Sequence, residues 1–501
     1  MRTEHIEKTL YDYQLQDLTT IFSHLESNVD NKNILYQLPT GGGKTVVFSE
    51  ITRRFIKQTG KKVVVLTHRI ELSVQTSNML SGFKVNNLVI NSDVKELRDD
   101  DQFLCFVAMV ETLNNRLQED MIELNDVGLV IIDEAHYNSF RKLFKYFEKS
   151  TILGVTATPL SSNIKLPMKD NYQKLIVGES IESLIQKRFL AKANMYSYDV
   201  SLRSLKLGIN GDYTVKSSDE LYGNLNMLSK LVGAYEELGK GTKTLIFNNG
   251  INTSKYVYET FKKAGYPIRH LDNKNTASER REILNWFANT SDAILTSVSI
   301  LTTGFDEPSV ETVILNRATR SLTLYFQMIG RGSRVLPDKE EFTVVDLGNN
   351  SARFGMWDGA IDWQEIFHFP DFYLSNIKND EEIEKEFVYQ MPEELRAKFT
   401  KSQNIDFDIK EEYKRVFAQG LKSKTVLERS IEQHAQICVE NSEDVFDARI
   451  LAKQLKEEIS YRVRQYSYCI MNNTKNYKEW LEEDYERKLR LSISQKFAAK
   501  M

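Results

Sequence analysis

The 501-residue sequence holds only three cysteines, Cys105, Cys438 and Cys469. They are too scattered for a four-ligand zinc site or an iron–sulfur cluster and too few for a disulfide framework, which points to a reducing compartment. Nowhere are there about 18 consecutive apolar residues that could span a bilayer, and the start, MRTEHIEKTLYDYQ, is charged from the outset. An intracellular protein without a membrane segment is the expectation. Basic charge is also lacking, since the net charge is −4. That gives no global sign of a polyanionic partner, although a local basic cleft can bind phosphates beneath an acidic outer surface. Only the segment from Leu451 is mildly basic, with eleven Lys and Arg against seven Asp and Glu, and it reads as a solvated helical face.

What is present is a soluble globular composition, 41% hydrophobic and 27% charged, in a chain long enough for about three domains. Short β-branched apolar runs recur between amphipathic stretches: KVVVLTH (62–68), FLCFVAM (103–109), VGLVIID (127–133) and TILGVTA (151–157). Continuous apolar character predicts strands covered on both faces, as in a parallel α/β sheet. After a loop-rich stretch from 161 to about 230, the rhythm restarts with TLIFNN (244–249), DAILTSV (292–298), VETVILN (310–316) and EFTVVDL (341–347). From Gly348 the strand pattern stops. An aromatic block, with Trp357, Trp363, Phe367, Phe369 and Phe372, precedes charged helical patterns. The predicted architecture is two tandem doubly wound α/β domains, 1–165 and 231–350, joined by 166–230 and followed by a mainly helical domain, 351–501. The aromatic block is expected to pack that third domain against the second.

The clearest motif is Leu38-Pro39-Thr40-Gly41-Gly42-Gly43-Lys44-Thr45, between a predicted strand (33–37) and a predicted helix (46–58). Consecutive glycines let the backbone turn tightly and present N–H groups to phosphate oxygens, and the helix N-terminus adds its positive field. Lys44 is placed to reach the β- and γ-phosphates of ATP, and the Thr45 hydroxyl to ligate Mg²⁺. Asp133 and Glu134 close the strand VGLVIID, so their carboxylates emerge at the C-terminal edge of the sheet. There Asp133 can hold Mg²⁺, and Glu134 can orient and deprotonate the attacking water.

Over residues 8 to 350 the chain resembles the superfamily 2 helicases and translocases, whose two domains are RecA-like. Asp133-Glu134-Ala135-His136 matches that superfamily's DEAH box, and LPTGGGKT its variant of the phosphate loop, in which Leu38 is normal. The resemblance implies further roles in family order. Tyr13 and Gln14 would read the adenine edge; His136, with Thr156 and Thr158 of Thr156-Ala157-Thr158-Pro159, would couple hydrolysis to movement. ILTTGFDEP (300–308) resembles the fifth motif and places Gly304 and Asp306 at the nucleotide. Gln327, Arg331 and Arg334, in QMIGRGSR (327–334), resemble the sixth. Two arginines three residues apart lie on one face of a helix or turn and can aim into one cleft as fingers on the γ-phosphoryl. Nucleic-acid phosphates would meet Thr67, His68, Arg69 and Thr112 in the first domain, and Asn248, Asn249, Thr302 and Thr303 in the second.

The run from 298 to 350 looks particularly like the RadD-like and Ssl2-like DNA helicase branch, and GVTATP points the same way. The expected function is therefore an ATP-dependent DNA helicase or translocase, sequence-tolerant and salt-sensitive, with protein partners reached through the C-terminal domain. Two rivals share the same ATP chemistry: an RNA helicase, and a non-unwinding motor or clamp subunit of a defence, restriction or replication complex.

Overall fold

Two parallel sheets carry the first three-quarters of the chain. The computed structural model describes residues 10–26, 33–94, 96–97, 102–298, 300–302, 304–387, 391–402, 405–470 and 475–499. The first sheet has seven strands: β1 (Ile34–Gln37), β2 (Lys62–Thr67), β3 (Asn87–Ile90), β4 (Cys105–Met109), β5 (Val127–Asp133), β6 (Thr151–Thr156) and β7 (Lys174–Val177). Their order is β3-β4-β2-β5-β6-β1-β7. β1, β2 and β6 are buried at every position, because their apolar residues do not alternate and both faces are covered. The second sheet comprises β8 (Lys192–Ser197), β9 (Thr244–Asn248), β10 (Ile268–Leu271), β11 (Ile294–Ser297), β12 (Thr312–Asn316) and β13 (Glu341–Asp346), in the order β10-β11-β9-β12-β13-β8. No helix among the described residues is long and apolar enough to cross a membrane.

The stretch expected to be a loop-rich connector is more ordered than its sequence suggests. Lys174–Val177 pairs with β1 as an edge strand, but only its two central residues are buried, too few to leave a periodic signal. Helix Leu225–Leu238, capped by Asn224, already belongs to the second α/β layer, where it packs against β13.

The aromatic block also corrects an expectation. Trp357–Ile377 belongs with the two α/β domains, not with the helical region. Trp357 is buried edge-on against Phe342 of β13, and Trp363 meets Phe326 of the second domain at 5.9 Å between ring centres. Phe367 lies in the first domain's core with Leu35, Phe140 and Leu175, and the His368 carbonyl accepts a hydrogen bond from Lys169 at 2.9 Å. The segment is a strap from one α/β domain to the other. Phe369 and Phe372 remain exposed.

The second unit comprises Asn194–Arg203, Ser351–Met356 and Lys378–Met501, and its described elements after Asp380 are helical. Its core surrounds Thr425–Glu440, Lys456–Cys469 and Lys475–Ala498. Inside it, the buried Arg462 donates to Glu458 (2.6 Å), Gln433 (2.8 Å) and Ser430 (3.1 Å), and the Tyr485 hydroxyl lies 2.8 Å from His434 Nδ1. Burial, reinforced by the Arg462 charge, holds His434 down to about 4, against the pull of Glu458. His434 is therefore neutral in the folded unit, whereas in an unfolded chain it titrates near 6.5. Stability is complete above that value and is lost as pH falls from about 6.5 toward 4, by about 2 kcal/mol at pH 5. Hydrogen exchange of helix Thr425–Glu440 between pH 7.5 and 5 should show this slope, and His434→Gln should flatten it.

Candidate active site

The phosphate loop leaves β1 at Leu38, whose N–H bonds the Thr156 carbonyl at 3.1 Å. Its buried side chain fills the space in which a Cβ on Gly42 would fall 2.8 Å away, so the leucine supports the loop from beneath. Gly41 and Gly43 take φ of +91° and +88°, the left-handed region that favours glycine. Gly43 then starts helix Lys44–Thr59 without a side-chain cap, which leaves the first N–H groups of the helix, Thr45's included, open to an anion. Lys44 Nζ donates to the Leu38 and Pro39 carbonyls at 3.2 and 3.3 Å. Burial lowers its pKa, opposed by the charges of Glu134 and Asp133.

Those two carboxylates stand at the end of β5. Burial, with the Glu134 charge, pushes Asp133 up to about 7, while Lys44 pulls the other way. Glu134 has φ +52°, a strained conformation for a side chain of its size and one that recurs at functional sites. From it a chain of polar contacts leads to the second domain. His136 Nδ1 lies 3.3 Å from Glu134 Oε2 and 3.1 Å from Thr156 Oγ1, which donates to the Thr158 carbonyl at 3.0 Å. The Thr158 hydroxyl then donates to Thr323 Oγ1 at 2.8 Å. Thr323 opens helix Leu322–Ile329, and Gln327 lies four residues on along the same face. Gln327 Nε2 is buried without a partner, and the residue lines a cavity of about 600 Å³ shared with His136.

Helix Leu322–Ile329 ends before the two arginines, and they separate. Arg331 donates to the carbonyls of Phe305 and, at 2.6 Å, Thr302, while burial and the neighbouring Arg334 charge hold it down to about 10. Arg334 instead bonds Asp306 at 2.8 Å and reaches the phosphate loop, where a Cβ on Gly41 would come within 2.8 Å of its Nη1. Gly330 packs against Thr40 just as closely. Gly304 takes φ +77°, in the left-handed region. Both charges still act on Lys44, although their hydrogen bonds differ, Arg334 holding Asp306 and Arg331 the backbone on either side of Gly304.

At the other side of the loop, the Tyr13 hydroxyl donates to the Gly42 carbonyl at 2.8 Å and Gln14 Nε2 to the same oxygen at 3.3 Å. Sequence reasoning missed Tyr11 and Phe189, whose rings lie 4.3 Å apart beside Gln14 and leave half of Tyr11 exposed. Phe189 is about 175 positions from Gln14 in the sequence, so nothing local signals it. The residues fit a bound nucleotide, since an uncapped helix start and a buried lysine meet at the loop, and Gln327 Nε2 and Arg331 Nε are buried without partners.

The residues expected to meet nucleic acid divide. His68, Arg69 and Asn249 line a cavity of about 840 Å³ reaching across both α/β domains, where Glu71, Asp219 and Asp272 stand among Lys255, Lys274 and Arg280, and Arg280 is paired with Glu71 at 2.6 Å. Lys255, Lys274 and Arg280 lie singly on separate elements and form no cluster in the sequence. Arg69 also spans the domains, donating to the Ile300 carbonyl at 2.9 Å. His68 packs tilted against Tyr137, 4.7 Å between ring centres, and burial holds it neutral, down to about 4. Asn248, by contrast, is fully buried. Its amide donates to Thr296 (2.9 Å) and Ser297 (3.2 Å), its oxygen accepts from Asn316 (2.8 Å), and its side chain has no capacity left for phosphate. Thr67 is likewise buried, against Ser73. Thr112 is half-buried in the first turn of helix Val110–Gln118, Thr302 is buried beneath Arg331, and Thr303 lies outside the described residues.

Residues 7–161 match the family model for the type III restriction enzyme res subunit, and 223–335 that for the helicase conserved C-terminal domain. The chain is 30% identical over 339 residues to a 51.5 kDa protein of a Lactococcus phage, covering 66% of this chain and 69% of that one. It is 28% identical over 362 residues to a Saccharomyces cerevisiae protein named as an ATP-dependent helicase, IRC3, covering 68% of this chain but only about half, 51%, of that one. In fold, 97% of the chain superposes on 41% of the ATP-dependent type ISP restriction-modification enzyme LlaBIII, solved bound to DNA, with a TM-score of 0.51 and 14% identity.

Proposed function

Because this chain belongs to superfamily 2 of the helicases and translocases, nucleic-acid-dependent ATPases, we propose that it is a DNA motor that couples ATP hydrolysis to movement along the strand. The observation that carries this reading is the placement of Arg334, from the second domain, against Gly41 in the phosphate loop of the first. A site completed by two bodies is sensitive to their closure, and closure is how an ATPase does mechanical work.

Lys44 and the N–H groups from Gly41 to Thr45 would hold the phosphates, Thr45 and Asp133 a Mg²⁺, and Tyr11 with Gln14 the adenine. When bound, Mg-ATP supplies the phosphoryl group and the charge that change during the cycle. Glu134 takes the proton of the attacking water, and Arg334 sets positive charge where negative charge develops. His136, Thr156 and Thr158 carry a change at Glu134 to Thr323 in the second domain. Asp306 aligns Arg334, and Arg331 holds the Asp306 segment.

The cavity lined by Arg69, Lys255, Lys274 and Arg280 offers cations for backbone phosphates, which supports a contribution to binding that is independent of sequence. DNA is favoured over RNA by the restriction-type model on the first domain and by the DNA bound to LlaBIII. ATP turnover with single-stranded DNA, duplex DNA and matched RNA tests it. Stimulation by DNA should exceed that by RNA, and log affinity should fall with log salt at a slope of about 0.7 per phosphate contact on single strands. Equal or greater stimulation by RNA would transfer the reading to an RNA helicase. A second reading, a motor subunit within a larger assembly, is favoured by the share of LlaBIII that the chain covers, 41%.

A further inference from the structure

Residues 206–214, which join the two α/β domains in sequence, form a short hairpin. Leu207 pairs antiparallel with Tyr213, the Gly208 N–H bonds the Asp212 carbonyl at 2.8 Å, and the Thr214 N–H bonds the Lys206 carbonyl at 2.8 Å. Its tip is Ile209-Asn210, closed by Gly211 at φ +79°. Ile209 is 107% exposed, with Leu207 behind it at 53%. Tight turns ordinarily carry Gly, Asn, Asp or Ser, which solvate well, so a bare β-branched side chain at the apex calls for an apolar partner.

The hairpin is bolted down. Asp212 accepts from the Thr319 hydroxyl (2.6 Å), the Arg320 N–H (2.8 Å) and Arg317 (3.4 Å). On the other leg, Asn249 donates to the Tyr213 carbonyl at 3.2 Å. Thr319 follows β12 and Asn249 follows β9, and these strands are neighbours, so the mount sits at the C-terminal edge of the second sheet, where α/β proteins bind their ligands. Leu207, Asn210 and Gly211 line the 600 Å³ cavity together with Arg69 and Arg320, and Arg69 also lines the 840 Å³ cavity described above.

We propose that this hairpin is a strand-separating pin: Ile209 enters between base pairs where duplex DNA meets the motor, while the domains draw one strand past it. An apolar side chain wedged into a base step unstacks it, and a wedge acts only if its mount does not yield. Asn249 thereby gains a role, holding the pin rather than touching phosphate. The inference rests on the DNA-motor reading, so its test separates the two.

Ile209→Asp, Ile209→Leu and the wild-type chain are compared on a forked DNA duplex and on single-stranded DNA. The pin requires that Ile209→Asp lose strand separation by about tenfold or more while single-strand-stimulated ATP turnover stays within about twofold, and that Ile209→Leu behave as wild type. Unchanged separation by Ile209→Asp overturns the pin, as does a parallel loss of ATP turnover. A wild-type chain that hydrolyses ATP on DNA but separates no strands also overturns it and leaves the motor reading intact; absent stimulation by any DNA removes both.

Discussion

Replacing Arg334 with alanine is expected to lower ATP turnover by about 10³ to 10⁵, while affinity for nucleic acid stays near wild type. The size follows from where the guanidinium lies. It is the cation of the second domain that reaches the phosphate loop of the first, and Asp306 at 2.8 Å fixes its direction. Charge placed in advance costs no reorganisation when negative charge builds on the transferring group. Lysine should not rescue the loss, because a point charge cannot bond Asp306 and a phosphoryl oxygen in the forked geometry of a guanidinium. ATP turnover at saturating DNA, read beside DNA binding by fluorescence anisotropy, checks both halves. Normal turnover with lost DNA binding would refute the role.

The second large effect is at Glu134. Glu134→Gln should retain ATP binding and stop hydrolysis, by about 10² to 10⁴ for a lost general base. Glutamine keeps the shape and one oxygen, so the unusual φ of +52° and the approach to His136 should survive the change. The variant should therefore accumulate an ATP-bound form that holds DNA. Filter binding of labelled ATP, with single-turnover hydrolysis, separates binding from chemistry. Full hydrolysis by Glu134→Gln would sink the assignment.

Much of this site was legible because its chemistry is contiguous in the sequence. The phosphate loop needs three adjacent glycines and a lysine, and the carboxylates need to end a buried strand. Spacing rules did less well where the backbone leaves regular structure. Arg331 and Arg334 both act on Lys44, but their spacing did not tell which backbone each would hold, since Leu322–Ile329 ends two residues earlier and the following turn sends one to Phe305 and the other to Gly41. Asn248 sat at a strand end suited to phosphate contact, yet Thr296, Ser297 and Asn316 use its hydrogen-bonding capacity. The 840 Å³ cavity left no trace, because Lys255, Lys274 and Arg280 come to line it together only when the chain folds. Packing was the right reading of Trp357 and Trp363, which do meet the second domain, whereas Phe367 enters the core of the first. Aromatic residues announce burial and not against what.

The strap from Trp357 to Ile377 limits how such a machine can open. Two bodies joined by one peptide can swivel in any direction. Here a first connection runs through residues 166–230, and a second is pinned at Phe342 in one core and by Phe367 in the other. The two α/β domains are thus tied by two separate stretches of chain, and any change in their separation has to be taken up by both.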